Sequence, residues 1–399
     1  MTAATAKSPA DLYKEAMHPL DVVRASLDNW SDAELGALAV GMHMASDDCA
    51  QAKPELYTGD DLYNLARLCA FGQDWNGANT AALDYVRSRA EEHRAQAYAV
   101  SVSALVHMRA VDLAVKTADE MLRALPYDAE VAYALRDLKN NLVQASNPAA
   151  LPLAADEHAQ IVAAVEQGVP LKAAHGDAAM PVGILYESAM QLAFLERYMG
   201  DDEAAATAAA EVENALSSTA TLEAEDRQRI DAVTSRYQLL GAQLPPIKIL
   251  RALQSPTTRA QIDPHFGSAT VLVLFPDWRV ECRTMMKTLT QFAVLNRTTP
   301  IHAYGLVFAD DSVVYGHAAH EVNFKQLAGT QTLMVPDTTT QTLGATDYPL
   351  GIVLDASGVV RFIGALPADA FNGDGYVSKV IVRMAQVQHE KASGNARGN

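Results

Sequence analysis

Three cysteines, Cys49, Cys69 and Cys282, are the residues of this 399-residue chain best suited to nucleophilic chemistry. No two of them form a CxxC pair, so neither a disulfide-dense scaffold nor a thiolate zinc site built from neighbours is expected. Cys49 and Cys69 fall in stretches of helical periodicity, where cysteine serves as a small core residue, and each is expected to act alone. Cys282 has a different setting. It closes the segment Pro276-Asp277-Trp278-Arg279-Val280-Glu281-Cys282, which follows a β-branched apolar run and opens an amphipathic stretch. A helix N-terminus lowers a thiol pKa, and the Arg279 guanidinium would lower it further, so a thiolate is physically available. Glu281 works in the opposite direction. Two readings of Cys282 stay open: an inert structural thiol, which leads, and a reactive thiolate stabilised by Arg279.

Other constellations carry less. His317 and His320, three apart, could share a helical face, but two imidazoles without a third ligand do not make a metal site, and no metal is expected. Neither a Gly-rich phosphate loop nor a Gly-x-Ser-x-Gly elbow is present, so nucleotide binding and serine hydrolysis lack support and no cofactor is expected. Asp310-Asp311 reads as a charged loop end after a strand. Acidic residues outnumber basic ones 48 to 31, a formal charge of -17, which opposes binding to nucleic acid and to anionic lipid. No apolar run follows a basic segment between Met1 and Ala16, so the sequence predicts no leader and no membrane insertion. The compartment stays open: exported or periplasmic if a leader was removed, cytoplasmic otherwise.

These residues must be positioned by more than one core. The chain is longer than a single core usually organises, and with 49% hydrophobic and 20% charged residues it has apolar area to spare. From 11 to 243 the chain is rich in Ala, Leu, Glu and Asp with apolar residues at helical spacing. Three windows repeat a helix pair. The first has Leu62, Leu65, Ala66 and Cys69, a turn at Gly72 to Gly77, then Ala78 and Ala82. The second has Tyr98 and Leu105, then Ala114 and Pro126. The third has Ala189, Leu192 and Ala193, a turn at Met199 to Asp202 in which Gly200 supplies a left-handed residue, then Ala205 and Ala209. The windows resemble tetratricopeptide repeats, which implies a concave surface that holds a peptide or protein. An irregular helical bundle is the other reading, and 146 to 180 breaks the period.

After Leu244-Pro245-Pro246 the pattern changes. Thr270 to Phe275 reads as a strand buried on both faces, opening a parallel-type sheet. A helix from Arg283 to Leu295 follows, with Met285, Met286, Leu289 and Phe292 inward, then strands at Ile301 to Phe308 and Thr332 to Asp337. Last come Asp347-Tyr348-Pro349 opening a strand, a turn at Asp355 to Gly358 with Gly358 at positive φ, a return strand and a helix at about 376 to 389. This order, with Trp278 and Cys282 in the loop, resembles the thioredoxin superfamily and its TlpA and ResA type. The fold class expected is therefore an all-helical, TPR-like array at 11–243, a thioredoxin-like α/β sandwich at 244–390, and a disordered tail at 391–399.

The resemblance implies a cis peptide before Pro349 and a groove in which Trp278, Tyr348 and Pro349 bind an extended substrate. Arg279 stands where the attacking cysteine of Trp-Cys-x-x-Cys belongs, so one thiol cannot form the internal disulfide. Peroxiredoxins resemble Pro-x-x-x-Thr-x-x-Cys, which Pro276 and Arg279 do not fit. The leading expectation is a scaffold that binds partner polypeptides without turnover. The alternative is a single-cysteine thiol oxidoreductase or weak peroxidase using Cys282. Oligomeric state and partner identity are not written in the sequence.

Overall fold

Alanine-rich amphipathic stretches become helices that approach closely through small side chains. The structure is a computed structural model and describes residues 7–26, 32–124, 127–144, 147–168, 180–217, 222–252, 262, 269–276, 280–295, 301–308, 331–366, 370–371, 377–378 and 381. The chain forms two compact units, Met1–Leu192 with Thr207–Leu222, and Ala193–Ala206 with Glu223–Asn399.

The described part of the first unit is helical. It contains α1 (Pro9–Ser26), α2 (Asp32–Gln51), α3 (Asp60–Phe71), α4 (Trp75–Arg87), α5 (Arg94–His107), α6 (Val111–Leu122), α7 (Ala129–Gln144), α8 (Ala150–Glu166) and parts of α9 (Val182–Met199) and α10 (Asp202–Val212). The starts of α3, α5 and α7 at Asp60, Arg94 and Ala129 are 34 and 35 residues apart. Side-chain caps fix helix starts, among them α4, where Asp74 accepts from the Gly77 amide (3.0 Å), and α7, where Asp128 accepts from the Val131 amide (3.0 Å). Leu62, Leu65, Ala66, Cys69, Ala78, Ala82, Tyr98, Leu105, Ala114, Ala189, Ala193 and Ala205 are all buried, as the windows anticipate. In the third window Ala208 takes the buried position expected of Ala209. Gly200 has φ +90°, the left-handed conformation expected after α9. Pro126 lies outside the described residues.

One expectation fails here. Cys49 and Cys69 do not act alone: they form a disulfide between α2 and α3. Twenty residues separate them, so their meeting depends on α2 folding back against α3, which local spacing does not reveal.

The second unit holds α11 (Ala224–Leu239), β1 (Arg251–Ala252), β2 (Ala269–Pro276), α12 (Val280–Leu295), β3 (Ile301–Phe308), β4 (Gln331–Val335), α13 (Thr338–Thr342), β5 (Leu350–Leu354) and β6 (Val360–Ala365). The sheet has the order β1-β4-β3-β2-β5-β6. It is mixed rather than parallel: β2 runs parallel to β3 and β3 to β4, whereas β5 is antiparallel to β2 and β6 to β5. The short Asp355–Gly358 turn forces the last reversal, and Gly358 has the positive φ (+78°) it requires. Strand β2 is buried along its whole length. Val271, Val273 and Phe275 join Met285, Met286, Leu289 and Phe292 of α12 in one apolar cluster; Leu272 and Leu274 join Leu240, Ile247 and Leu350 in another. The period-2 alternation of a central strand thus feeds two cores. Of the expected last helix only Val377, Ser378 and Ile381 are described, and the tail lies outside the described residues.

Candidate functional site

The end of β2 is where the candidate residues gather. Residues 277–279 lie outside the described residues, and with them Trp278 and Arg279; Val280 then opens α12, so Cys282 is its third residue. The Cys282 side chain is not disulfide-bonded, is 0% exposed, and lies in the cluster that includes Phe275, Met285, Met286 and Val307. Among the described residues its neighbours are apolar and enclose it.

The peptide bond between Tyr348 and Pro349 is cis, as the sequence resemblance implies. Register places it. Leu274 of β2 faces Leu350 of β5, so Pro349 stands one residue beyond the last pair, at the end of the sheet from which α12 departs. The Pro349 carbonyl accepts from the Leu366 amide (2.9 Å), and the half-buried Tyr348 ring packs on Phe308 with centroids 5.1 Å apart. Cys282, Tyr348 and Pro349 therefore share one end of the sheet.

Sequence reasoning missed the residues that hold this loop. From α11, Arg236 donates through Nη1 to Thr346 Oγ1 (3.1 Å), and Arg229 Nη1 lies 3.8 Å from Asp347 Oδ2. Thr346 Oγ1 in turn contacts Asp347 Oδ2 at 3.4 Å. Arg229 and Arg236 are seven residues apart and so share a helical face, the one signal in the sequence that could have marked them. Gly344, at φ +62°, completes the join: a Cβ there would stand 2.2 Å from the Ala232 carbonyl oxygen.

Two further clusters of ionisable groups occur in the helical unit. Tyr127 and Lys139 both donate to Glu157, and all three side chains are buried. Burial, followed by the Glu157 charge, raises the Tyr127 pKa, and burial lowers that of Lys139 against the opposing pull of Glu157. This ties the start of α7, its middle and α8 together across the core. Asp60, Glu92 and His93 bring ligand-type atoms within 4.8 Å of one another, with both carboxylates exposed. The His93 ring stacks on Tyr63 (4.3 Å) and its amide donates to the Tyr85 hydroxyl (3.0 Å), contacts that account for its position without an ion. His317, His320, Asp310 and Asp311 lie outside the described residues.

No protein-family model matches the sequence, and none of the curated proteins matches it. Part of the chain is similar to solved structures. A secreted Mycobacterium tuberculosis disulfide oxidoreductase, homologous to Escherichia coli DsbE, shares 18% identity over 33% of this chain and 93% of its own, with TM-score 0.24. A DsbF homologue from Corynebacterium diphtheriae shares 19% over 31% of this chain and 76% of its own, TM-score 0.25. A thiol:disulfide interchange protein from a Bacteroides species shares 13% over 36% and 90%, TM-score 0.28. The likeness spans about a third of the chain, and at these identities and scores it says nothing of this chain's activity. Among the described residues, no helix is long and apolar enough to cross a membrane.

Proposed function

We propose that this chain binds partner polypeptides through a tetratricopeptide-like array joined to a thioredoxin-like domain of the TlpA type that lacks two-cysteine chemistry. The observation that carries the reading is the Cys282 thiol, 0% exposed in an apolar cluster, in a motif whose attacking-cysteine position is occupied by Arg279. Buried thiols in such surroundings are inert. The 34- and 35-residue intervals between α3, α5 and α7 support the repeat reading of the helical unit. The strand order and the cis bond before Pro349 support the thioredoxin-like reading of the sheet unit. In this reading the backbone beside Tyr348 and Pro349, with Trp278, pairs with an extended segment of the partner.

A second reading, a single-cysteine thiol oxidoreductase or weak peroxidase, draws on the position of Cys282 in the first turn of α12, where helix amides favour a thiolate. Turnover separates the two. Dithiothreitol-driven reduction of a peptide disulfide, and of hydrogen peroxide, should proceed at the same rate with the wild-type chain and with Cys282→Ser. A wild-type rate about tenfold or more above the variant would establish the enzyme and overturn the binding module.

A further inference from the structure

The bond between Cys49 and Cys69 sits in a cluster to which five helices, α1 to α5, contribute. Both cysteines are buried (6% and 2% exposed) in a cluster that takes Ala16 from α1, Ala45 from α2, Leu65, Ala66 and Leu68 from α3, Ala78, Ala81 and Ala82 from α4, and Ala104 from α5. Its buried members are mostly alanine, and Leu12, Tyr13, Phe71 and Trp75 pack against them. A Cβ on Gly41 would stand 2.3 Å from the Ala16 carbonyl oxygen, one on Gly72 2.4 Å from the Ser46 amide nitrogen, and one on Gly77 2.9 Å from Cys49 Sγ. Backbone thus lies against backbone where α1 meets α2 and where α2 meets the end of α3. Such contacts fit tightly, and the disulfide adds a covalent constraint to them.

We infer that the Cys49–Cys69 disulfide is the covalent tie that holds α2 to the array, and that the chain acquires it in an oxidising compartment by exchange with a disulfide-bearing donor protein. The step balances. The thiolate of one cysteine attacks the donor disulfide and forms a mixed disulfide; the second thiolate then displaces the donor sulfur. The two thiol protons pass to solvent and return on the donor's two released thiols, and the donor takes up the two electrons. Thiol pools of a reducing cytosol drive the same exchange backwards, so the bond belongs to a chain that matures outside one. Once made, the bond is protected. Enclosure keeps an attacking thiolate from either sulfur while the helices stay packed, and Asp74 Oδ2 lies 3.4 Å from Cys49 Sγ. Gly77 and the Asp74 cap of α4 are then also the shaped wall of this bond.

The test needs the full chain taken from its source cells with acid quenching, so that thiols are trapped as they stand. Alkylated in denaturant without reductant, it should take up one adduct, at Cys282; after reduction it should take up three. Three adducts without reductant would overturn the inference about the compartment. For the tie itself, the wild-type chain reduced in denaturant and refolded under dithiothreitol should melt several degrees below the oxidised chain, and the same treatment should leave unmoved the Tm of a Cys49→Ala, Cys69→Ala double variant. Should that variant fail to fold, limited proteolysis of the wild-type chain reads the same claim. Reduction should speed cleavage within residues 9–51 at least tenfold, and unchanged Tm and cleavage on reduction would overturn the tie. Neither arm depends on whether Cys282 is reactive.

Discussion

At the scale of single residues, the sheet unit is closed by one carboxylate. Asp355, 6% exposed, accepts from the Ser357 and Val359 amides at 2.8 and 3.1 Å through Oδ1, while Arg361 donates to its Oδ2 through Nε at 2.8 Å. Replacing it by alanine removes the acceptor from two amides and leaves Arg361 without its acid. Asp355→Ala should cost about 2 to 3 kcal/mol, read from the midpoint of urea unfolding at constant slope. A loss below about 0.5 kcal/mol would show that the turn closes without its side-chain acceptor. Cys282 is the other residue on which the account turns. The type of residue and its place after β2 were legible in the sequence, but its burial was not. A helix N-terminus exposes some of its first-turn side chains and buries others, and which applies to Cys282 depends on Val307 and Phe275 from neighbouring strands.

Among elements, α11 has the least expected part. It supports the loop that carries Tyr348 and Pro349 through Arg229, Arg236 and the close approach of Gly344 to the Ala232 carbonyl. Gly344→Ala would both strain a positive φ and push a methyl into that oxygen. It should cost at least about 2 kcal/mol and reduce capture of an extended peptide at this end of the sheet. An unaltered melting curve would remove α11 from the support of the site. The contrast with β2 explains what the sequence could and could not tell. Thr270 to Phe275 read as a strand buried on both faces because six apolar or β-branched residues in a row leave no polar face, and the structure agrees along its length. The inward positions Met285, Met286, Leu289 and Phe292 followed from 3.6-residue periodicity, and the Gly358 turn from its residue types. The disulfide and the α11 contacts escaped because each joins residues brought together only by tertiary folding: Cys49 to Cys69 across two helices, and Arg236 to Thr346 across 110 positions.

For the whole molecule, buried and half-buried tyrosines set a limit at alkaline pH. The pKa values of Tyr63, Tyr85, Tyr127, Tyr198 and Tyr237 are all raised, with burial the largest cause in each. In the unfolded chain these phenols ionise near pH ~10. A group with a raised native pKa contributes stability that is complete below its unfolded value and is lost as pH climbs toward the native one. Lys139, lowered by burial, acts in the opposite direction over the same range but is one group against five. Stability should therefore fall above pH ~10, and a share of the tyrosinate absorbance should appear only together with loss of helical circular dichroism. Complete tyrosine titration in a chain that keeps its circular dichroism would contradict the burial of Tyr63, Tyr85 and Tyr127. The central claim, that the sheet unit is built to bind and not to exchange thiols, rests on Cys282. The most direct measurement is its alkylation rate against pH in the native and the unfolded chain, with Cys282→Ser as the blank. Native labelling should be at least a hundredfold slower than in denaturant across the range. Native labelling within about tenfold of the unfolded rate, with a pH midpoint well below ~8.5, would make Cys282 a reactive thiolate and contradict the claim.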